Sequence, residues 1–168
     1  ILKLKDGITL KSTILCPQNG EVAIISSFGR VLKLQLSEKT MPLMGKLAQG
    51  PLTMKLFPGE SIIGAVSTKK EKDSQLILST RSGKLVTVNT NKIRFANKGG
   101  LGEMKIILDK KRNFFEEVID VCLANKITGV LSNQGRSGRV EIVDRYRGKS
   151  TVTTLTDLEL ENNEFIER

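Results

Sequence analysis

Three copies of one short pattern lie along this chain. Ala23-Ile24-Ile25-Ser26 leads to Gly29-Arg30-Val31-Leu32-Lys33-Leu34, and Leu76-Ile77-Leu78-Ser79 leads to Gly83-Lys84-Leu85-Val86-Thr87-Val88. Gly129-Val130-Leu131-Ser132 leads in turn to Gly138-Arg139-Val140-Glu141-Ile142. Each copy closes on a glycine followed by a cation, and the three glycines are 54 and 55 residues apart. A second echo, Leu2-Lys3-Leu4, Met54-Lys55-Leu56 and Met104-Lys105-Ile106, places its lysines 52 and 50 residues apart. A period of about fifty residues made of strand-like pieces restricts the fold to stacked β units, the blades of a propeller or a related array. Function in such arrays usually belongs to a surface repeated around an arc and not to a single pocket.

The pieces themselves read as strands. Val22-Ala23-Ile24-Ile25, Val31-Leu32-Lys33-Leu34, Ile62-Ile63-Gly64-Ala65-Val66, Gln75-Leu76-Ile77-Leu78 and Leu85-Val86-Thr87-Val88 are short and aliphatic. Turn residues separate them at Gln18-Asn19-Gly20, Phe28-Gly29, Pro58-Gly59-Glu60, Ser82-Gly83 and Gln134-Gly135. Lys33 alternates with aliphatics, which predicts one buried and one wet face. Phe114 to Val121 fits a helical turn, but the repeat aligns Val118–Leu123 with the strand Ile62–Val66 and favours strand.

A glycine-rich connector recurs between units. It reads Met44-Gly45-Lys46-Leu47-Ala48-Gln49-Gly50, then Asn97-Lys98-Gly99-Gly100-Leu101-Gly102-Glu103, then Tyr146-Arg147-Gly148-Lys149-Ser150. Strands are expected directly after each, at Leu52–Leu56, Met104–Leu108 and Val152–Leu155. The chain is thus one repeat domain: a half repeat over 1–50, repeats over 51–102 and 103–150, and the start of another over 151–168. Asn163-Glu164-Phe165-Ile166 echoes Gly59-Glu60-Ser61-Ile62, so the acidic end reads as an outer strand before it reads as a regulatory tail.

At 168 residues the chain can bury a core. Its 27 Lys+Arg against 18 Asp+Glu give a net charge of +9. The excess lies in the body, because residues 151–168 hold Asp157, Glu159, Glu161, Glu164 and Glu167 against Arg168 alone. A basic body suggests a polyanionic partner; a merely solubilising lysine-rich surface is the plainer alternative. With no histidine, the commonest general base and metal ligand is missing. Cys16 and Cys122 stand apart, as buried thiols in a reducing compartment would. No run of about 18 apolar residues is available to span a membrane. Ile1–Lys5 reads as strand rather than as a leader, and the start without methionine is expected of a piece of a longer chain.

The ordered set of motifs resembles the C-terminal DNA-wrapping domain of bacterial type IIA topoisomerase A subunits, those of DNA gyrase and topoisomerase IV. The matching stretches are Ser26-Ser27-Phe28-Gly29-Arg30-Val31-Leu32, Gly45-Lys46-Leu47-Ala48-Gln49-Gly50, Lys55-Leu56-Phe57-Pro58-Gly59-Glu60 and Ser132-Asn133-Gln134-Gly135-Arg136-Ser137-Gly138-Arg139-Val140. The resemblance covers essentially the whole chain. The resemblance implies an all-β fold, a β-pinwheel of four-stranded blades that exchange a strand between neighbours, with duplex DNA bent around a basic rim. About three repeats are fewer than the family usually carries, so an incomplete arc or a fragment of a longer domain is expected. Gyrases carry one longer connector of the form Gln-Arg-Arg-Gly-Gly-Lys-Gly. Asn97-Lys98-Gly99-Gly100-Leu101-Gly102 keeps its glycines and one cation but lacks the Gln-Arg-Arg start and the late lysine, as a degenerate box would. The resemblance further implies no cofactor in this chain, with ATP, magnesium and the cleavage tyrosine in other parts of the parent enzyme. Two protein partners are implied, the ATPase B subunit together with the remainder of the A subunit, in the bacterial cytoplasm with the nucleoid.

Wrapping needs cations along a curved edge and little base reading. The candidates are Arg30, Lys84, Arg136 and Arg139 beside the turn glycines, and Lys46, Lys92, Arg94, Lys98, Arg145, Arg147 and Lys149 in the connectors. Glycine at such places permits positive φ and lets backbone N–H groups approach phosphate. The plainer reading makes the glycines hairpin residues and the cations solvated strand ends. Lys3, Lys55 and Lys105 are expected on solvent faces. Lys69, Lys70, Lys72, Lys110, Lys111 and Arg112 are expected in solubilising turns.

Aromatic content of 4% argues against stacking platforms for single strands, so Phe57, Phe95, Phe114, Phe115 and Phe165 are expected in the core. Tyr146, flanked by Arg145 and Arg147, reads as a phosphate donor at most. An enzyme is disfavoured: no nucleophile motif, metal-ligand spacing or phosphate-cradling GxxxxGK[ST] is present, and Glu116, Glu117 and Asp120 form only a small acidic group. The alternative function is a protein-interaction propeller, although the paired Gly-His and Trp-Asp signature of such blades cannot occur without histidine and tryptophan.

Overall fold

The computed structural model describes residues 4–45, 48–68, 74–108, 116–124, 127–131, 137–141 and 151–153. From residue 124 onward it describes them through their backbone alone. Three β hairpins recur at the spacing of the sequence repeat. They are β1 (Glu21–Ser26) with β2 (Arg30–Gln35), β4 (Gln75–Thr80) with β5 (Leu85–Asn89), and β8 (Ile127–Leu131) with β9 (Ser137–Glu141). The first two turns are built alike. Gly29 and Gly83 sit at φ +82° and +80°, and their N–H groups donate to Ser26 and Thr80 carbonyls at 3.0 and 2.9 Å. Gly29 is irreplaceable for a second reason, since a Cβ there would lie 2.1 Å from Ile106 Cγ2.

Each of the first two hairpins is widened to four strands by chain from further along. β3 (Ile62–Thr68) pairs antiparallel with β1, and β6 (Glu103–Met104) with β2, giving the order β3-β1-β2-β6. β7 (Val118–Ala124) pairs with β4, and β10 (Thr151–Thr153) with β5, giving β10-β5-β4-β7. The register shifts at the same point in both sheets, after Ile25 and after Ser79. A sequence repeat is therefore not a blade, because each sheet takes its outer strands from later units.

The main core lies between the two sheets. Ala23, Ile25 and Val31 of the first meet Leu76, Leu78, Val86, Val88 and Val118 of the second, and Ile93 and Ile106 fill the gap from the connecting chain. The opposite face of the first sheet buries Leu32 and Leu34 under Met54, with Ile24, Ile62 and Ala96 packed beside them. Fully burying such a side chain contributes about 1.5–3 kcal/mol. The apolar alternation of β2 supplies both cores, because residues 32 and 34 face one way and residue 31 the other.

All five strands read from the sequence form, and Val118–Ala124 is a strand and not a helical turn. The expected strands at 52–56 and 104–108 are corrected. Met54 makes a single parallel bridge to Gly100, and β6 stops at Met104. Lys33 does not face water: it is 4% exposed and paired with Glu21. Phe57 and Phe95 are not core residues, being 47% and 53% exposed, and each has a cation beneath its ring. Phe114, Phe115 and Phe165, and the fourth-repeat start at 154–166, lie outside the described residues. Among the described residues no helix is long and apolar enough to cross a membrane.

Candidate nucleic-acid interface

The degenerate box is the end of a longer connector, residues 90–102, that leaves β5 and returns as β6. A 3-10 turn, Thr90–Lys92, opens it, capped by Asn89 Oδ1 accepting from the Asn91 N–H at 2.8 Å. Ile93 then plugs into the inter-sheet core. The Ala96 N–H donates to Lys33 O at 2.8 Å, so the connector runs alongside β2. A tight turn at Asn97–Gly100 follows, closed by the Gly100 N–H on Asn97 O at 3.1 Å. Its other edge is fastened to the strap 52–56, with Gly99 N–H to Thr53 O at 2.8 Å and Lys55 N–H to Gly100 O at 2.9 Å.

Two glycines have steric reasons to be there. Gly99 sits at φ +77°. Gly102 sits at φ +74°, and a Cβ on it would lie 2.8 Å from Val31 O. Gly102 packs its backbone directly against that of β2 at Val31. The anchored backbone throws Lys92, Arg94, Asn97 and Lys98 outward, all of them exposed.

The electrostatics of this edge are uneven. Glu103 neutralises Lys105, Oε2 to Nζ 2.6 Å apart, and Lys105 also donates to Lys92 O at 3.3 Å. The hydrogen bond from Lys105 holds the Glu103 carboxyl below its ordinary pKa; burial opposes this, and the charges of Lys105 and Arg94 reinforce it. Among the described residues no salt bridge takes Lys92, Arg94 or Lys98. They are the basic edge this connector offers, while Lys55 is exposed on the strap beside it, as the repeat predicts.

Arg30 must be removed from the rim. It is 3% exposed, and its guanidinium is spent inside the protein. Nε donates to Glu60 Oε1 at 2.9 Å, Nη2 to Glu60 Oε2 and to Lys55 O, and Nη1 to Leu101 O. The Phe57 ring covers it, 4.3 Å from centroid to Cζ. Burial alone would raise the Glu60 pKa. Hydrogen bonds from Arg30, the Phe57 N–H and Ser26, with the Arg30 charge, outweigh burial and lower it. Glu60 is the residue that sequence reasoning missed. The sequence offers one hint, that Gly59-Glu60 is an acidic counterpart of Gly29-Arg30.

Lys84, the equivalent of Arg30, is half-buried in the second hairpin turn. Arg139 lies on β9 opposite Gly129. Lys46, Arg136, Arg145, Arg147 and Lys149 lie outside the described residues. The structure therefore leaves Lys92, Arg94 and Lys98 exposed on one connector and buries Arg30. Among the described residues no cluster of His, Cys, Asp or Glu could hold a metal.

No family model matches the chain. Among curated proteins it is similar to the DNA gyrase A subunit of Mycobacterium leprae, 20% identical over 134 residues. It is also similar to the DNA gyrase A subunit of Pseudomonas aeruginosa, 22% identical over 165 residues. Those alignments take 80% and 98% of this chain but only 10% and 17% of the relatives, so the chain spans a small part of their length. Among solved structures it superposes on the C-terminal domain of DNA topoisomerase IV with a TM-score of 0.66 at 17% identity, over 77% of this chain and 39% of that one. The DNA gyrase A C-terminal domain gives 0.66 at 15%, over 84% and 45%. The E. coli ParC C-terminal domain gives 0.70 at 14%, over 99% and 66%. The fold is the β-pinwheel of these domains, and the resemblance read from the motifs holds in both sequence and structure.

Proposed function

We propose that this chain is a duplex-DNA-binding and DNA-bending module of the A subunit of a bacterial type IIA topoisomerase, either gyrase or topoisomerase IV. The observation that carries the reading is the edge at Lys92, Arg94 and Lys98, three exposed cations on a connector whose backbone is fastened to buried strands. Cations held at fixed spacing release counterions from successive phosphates without reading bases. Bending a site of 20–30 bp by 40–90° costs on the order of 1–6 kcal/mol, which several such contacts offset. The net charge of +9 supplies long-range attraction for the same partner.

In this reading the module performs no bond chemistry. It captures and curves the duplex. Strand cleavage, ATP and magnesium belong to the ATPase B subunit together with the remainder of the A subunit, in the bacterial cytoplasm beside the nucleoid. Replacing Lys92, Arg94 and Lys98 with alanine tests it by fluorescence anisotropy on duplexes of several sequences. The expected result is equal weakening on every sequence and a drop in the log Kd against log salt slope of about 2.7, at about 0.9 per phosphate contact. An unchanged affinity and slope would remove this edge from the DNA path and favour a protein-binding role.

A further inference from the structure

We infer that Arg30 is a positioning residue that clamps the connector so that Arg94 and Lys98 are presented to DNA, without reaching the duplex itself. The inference rests on the function proposed above. Arg30 opens β2 on the face that also carries Leu32 and Leu34, under the strap and the connector. Its fork joins segments far apart in sequence: Lys55 O on the strap, the Glu60 carboxylate just after the turn that follows it, and Leu101 O on the connector.

The hydrogen bonds close a ring. The Lys55 N–H donates to Gly100 O, the Lys55 carbonyl accepts from Arg30, and Arg30 also holds the carbonyl of Leu101, next to Gly100. One guanidinium thus grips both members of the strap–connector pair at the point where the chain turns from Lys98 back into β6. Glu60 fixes the fork's orientation with two oxygens, and its Oε2 also accepts from the Phe57 N–H at 2.8 Å. Phe57 closes the remaining face. A lysine would keep the charge but lacks the planar fork that spans these acceptors. At 3% exposure Arg30 offers no surface to a phosphate. Any influence on DNA must pass through the loop it holds.

The test compares Arg30→Lys, the pair Arg94→Ala with Lys98→Ala, and all three together, in the full chain. Duplex affinity is measured over a salt series, and amide exchange is followed by NMR. Arg30→Lys should weaken duplex binding several-fold at unchanged net charge. It should also lower the salt slope toward that of the double variant, which falls by about 1.8. Added to the double variant it should cost nothing further. The amides of Gly99 and Lys55 should exchange faster, while those of β1 and β2 keep their protection. Glu60→Gln, which keeps volume and one acceptor oxygen, should show smaller changes of the same sign and serves if Arg30→Lys does not fold. Parental affinity in folded Arg30→Lys, additive losses in the triple variant, or unchanged exchange at Gly99 and Lys55 would each overturn the positioning role alone. A double variant that binds like the parent would overturn the DNA edge as well.

Discussion

Lys33 Nζ lies 2.8 Å from Glu21 Oε2, and the two side chains are only 4% and 7% exposed. Lys33 also donates to Thr90 O at 3.2 Å, and the Phe95 ring sits 4.6 Å from its ammonium. This pair ties the first hairpin to the start of the connector. Glu21→Ala would strand a buried ammonium and should cost about 3–5 kcal/mol in urea unfolding. The double replacement Glu21→Leu with Lys33→Met removes both charges and should recover most of that loss. A Glu21→Ala cost below about 1 kcal/mol, the range of exposed pairs, would mean that the pair is wet.

Glu60 makes the fold sensitive to acid. Its folded-state pKa lies below the ordinary carboxylate value, so the unfolded chain takes up the proton first as pH falls. The stabilisation is full above the unfolded pKa of about 4.3 and is lost as pH drops through that value toward the folded one. Unfolding free energy measured at pH 7 and stepwise down to pH 3 should fall more for the parent than for Glu60→Gln. Parallel curves would show that Glu60 carries no linkage.

Gly29→Ala should be destabilised by more than the 1–2 kcal/mol that left-handed backbone costs an L residue. The excess comes from Ile106 Cγ2, 2.1 Å from the new Cβ. Pairing the change with Ile106→Val leaves that methyl in place, whereas Ile106→Ala removes it. Thermal unfolding should therefore show partial rescue by Ile106→Ala only. Equal behaviour of the two would locate the penalty in φ alone.

Burial pushes the Cys122 thiol above its ordinary pKa, and Asp120 adds to the effect. The folded protein thus keeps the proton at pH values where the unfolded chain loses it. This contribution to stability is complete below the unfolded pKa and fades as pH rises through the folded one. Iodoacetamide at pH 8.5 should label Cys122 more slowly in the native chain than in urea. Equal rates would place the thiol in water.

Much of this was legible in the sequence because periodicity reports burial. The hairpin strands, the turn glycines and the strand at Val118 follow from aliphatic runs bounded by Gly-cation turns. Partner strands were not legible, since nothing in Ile62–Thr68 says which hairpin it will join. The aromatics and cations misled for one shared physical reason. Composition assigns Phe57 and Phe95 inward and Arg30 and Lys33 outward. The chain inverts both pairs by burying each cation against a carboxylate, Glu60 or Glu21, and laying a ring over it. Pairing across thirty residues, as for Arg30 and Glu60, or between the strands of a hairpin, as for Lys33 and Glu21, has no local signature of the kind that fixes a turn. Lys92, Arg94 and Lys98 are exposed on the connector, and of the three only Lys98 has a glycine beside it in the sequence.

The most direct measurement is energy transfer between dyes on the two ends of a duplex of about 30 bp, titrated with the chain at about 50 and 200 mM salt. The expected result is a saturable rise in transfer, as the ends approach around the basic edge, with a midpoint that moves steeply to higher protein concentration at the higher salt. Binding without any rise in transfer, or a midpoint indifferent to salt, would contradict a DNA-bending module held by phosphate contacts.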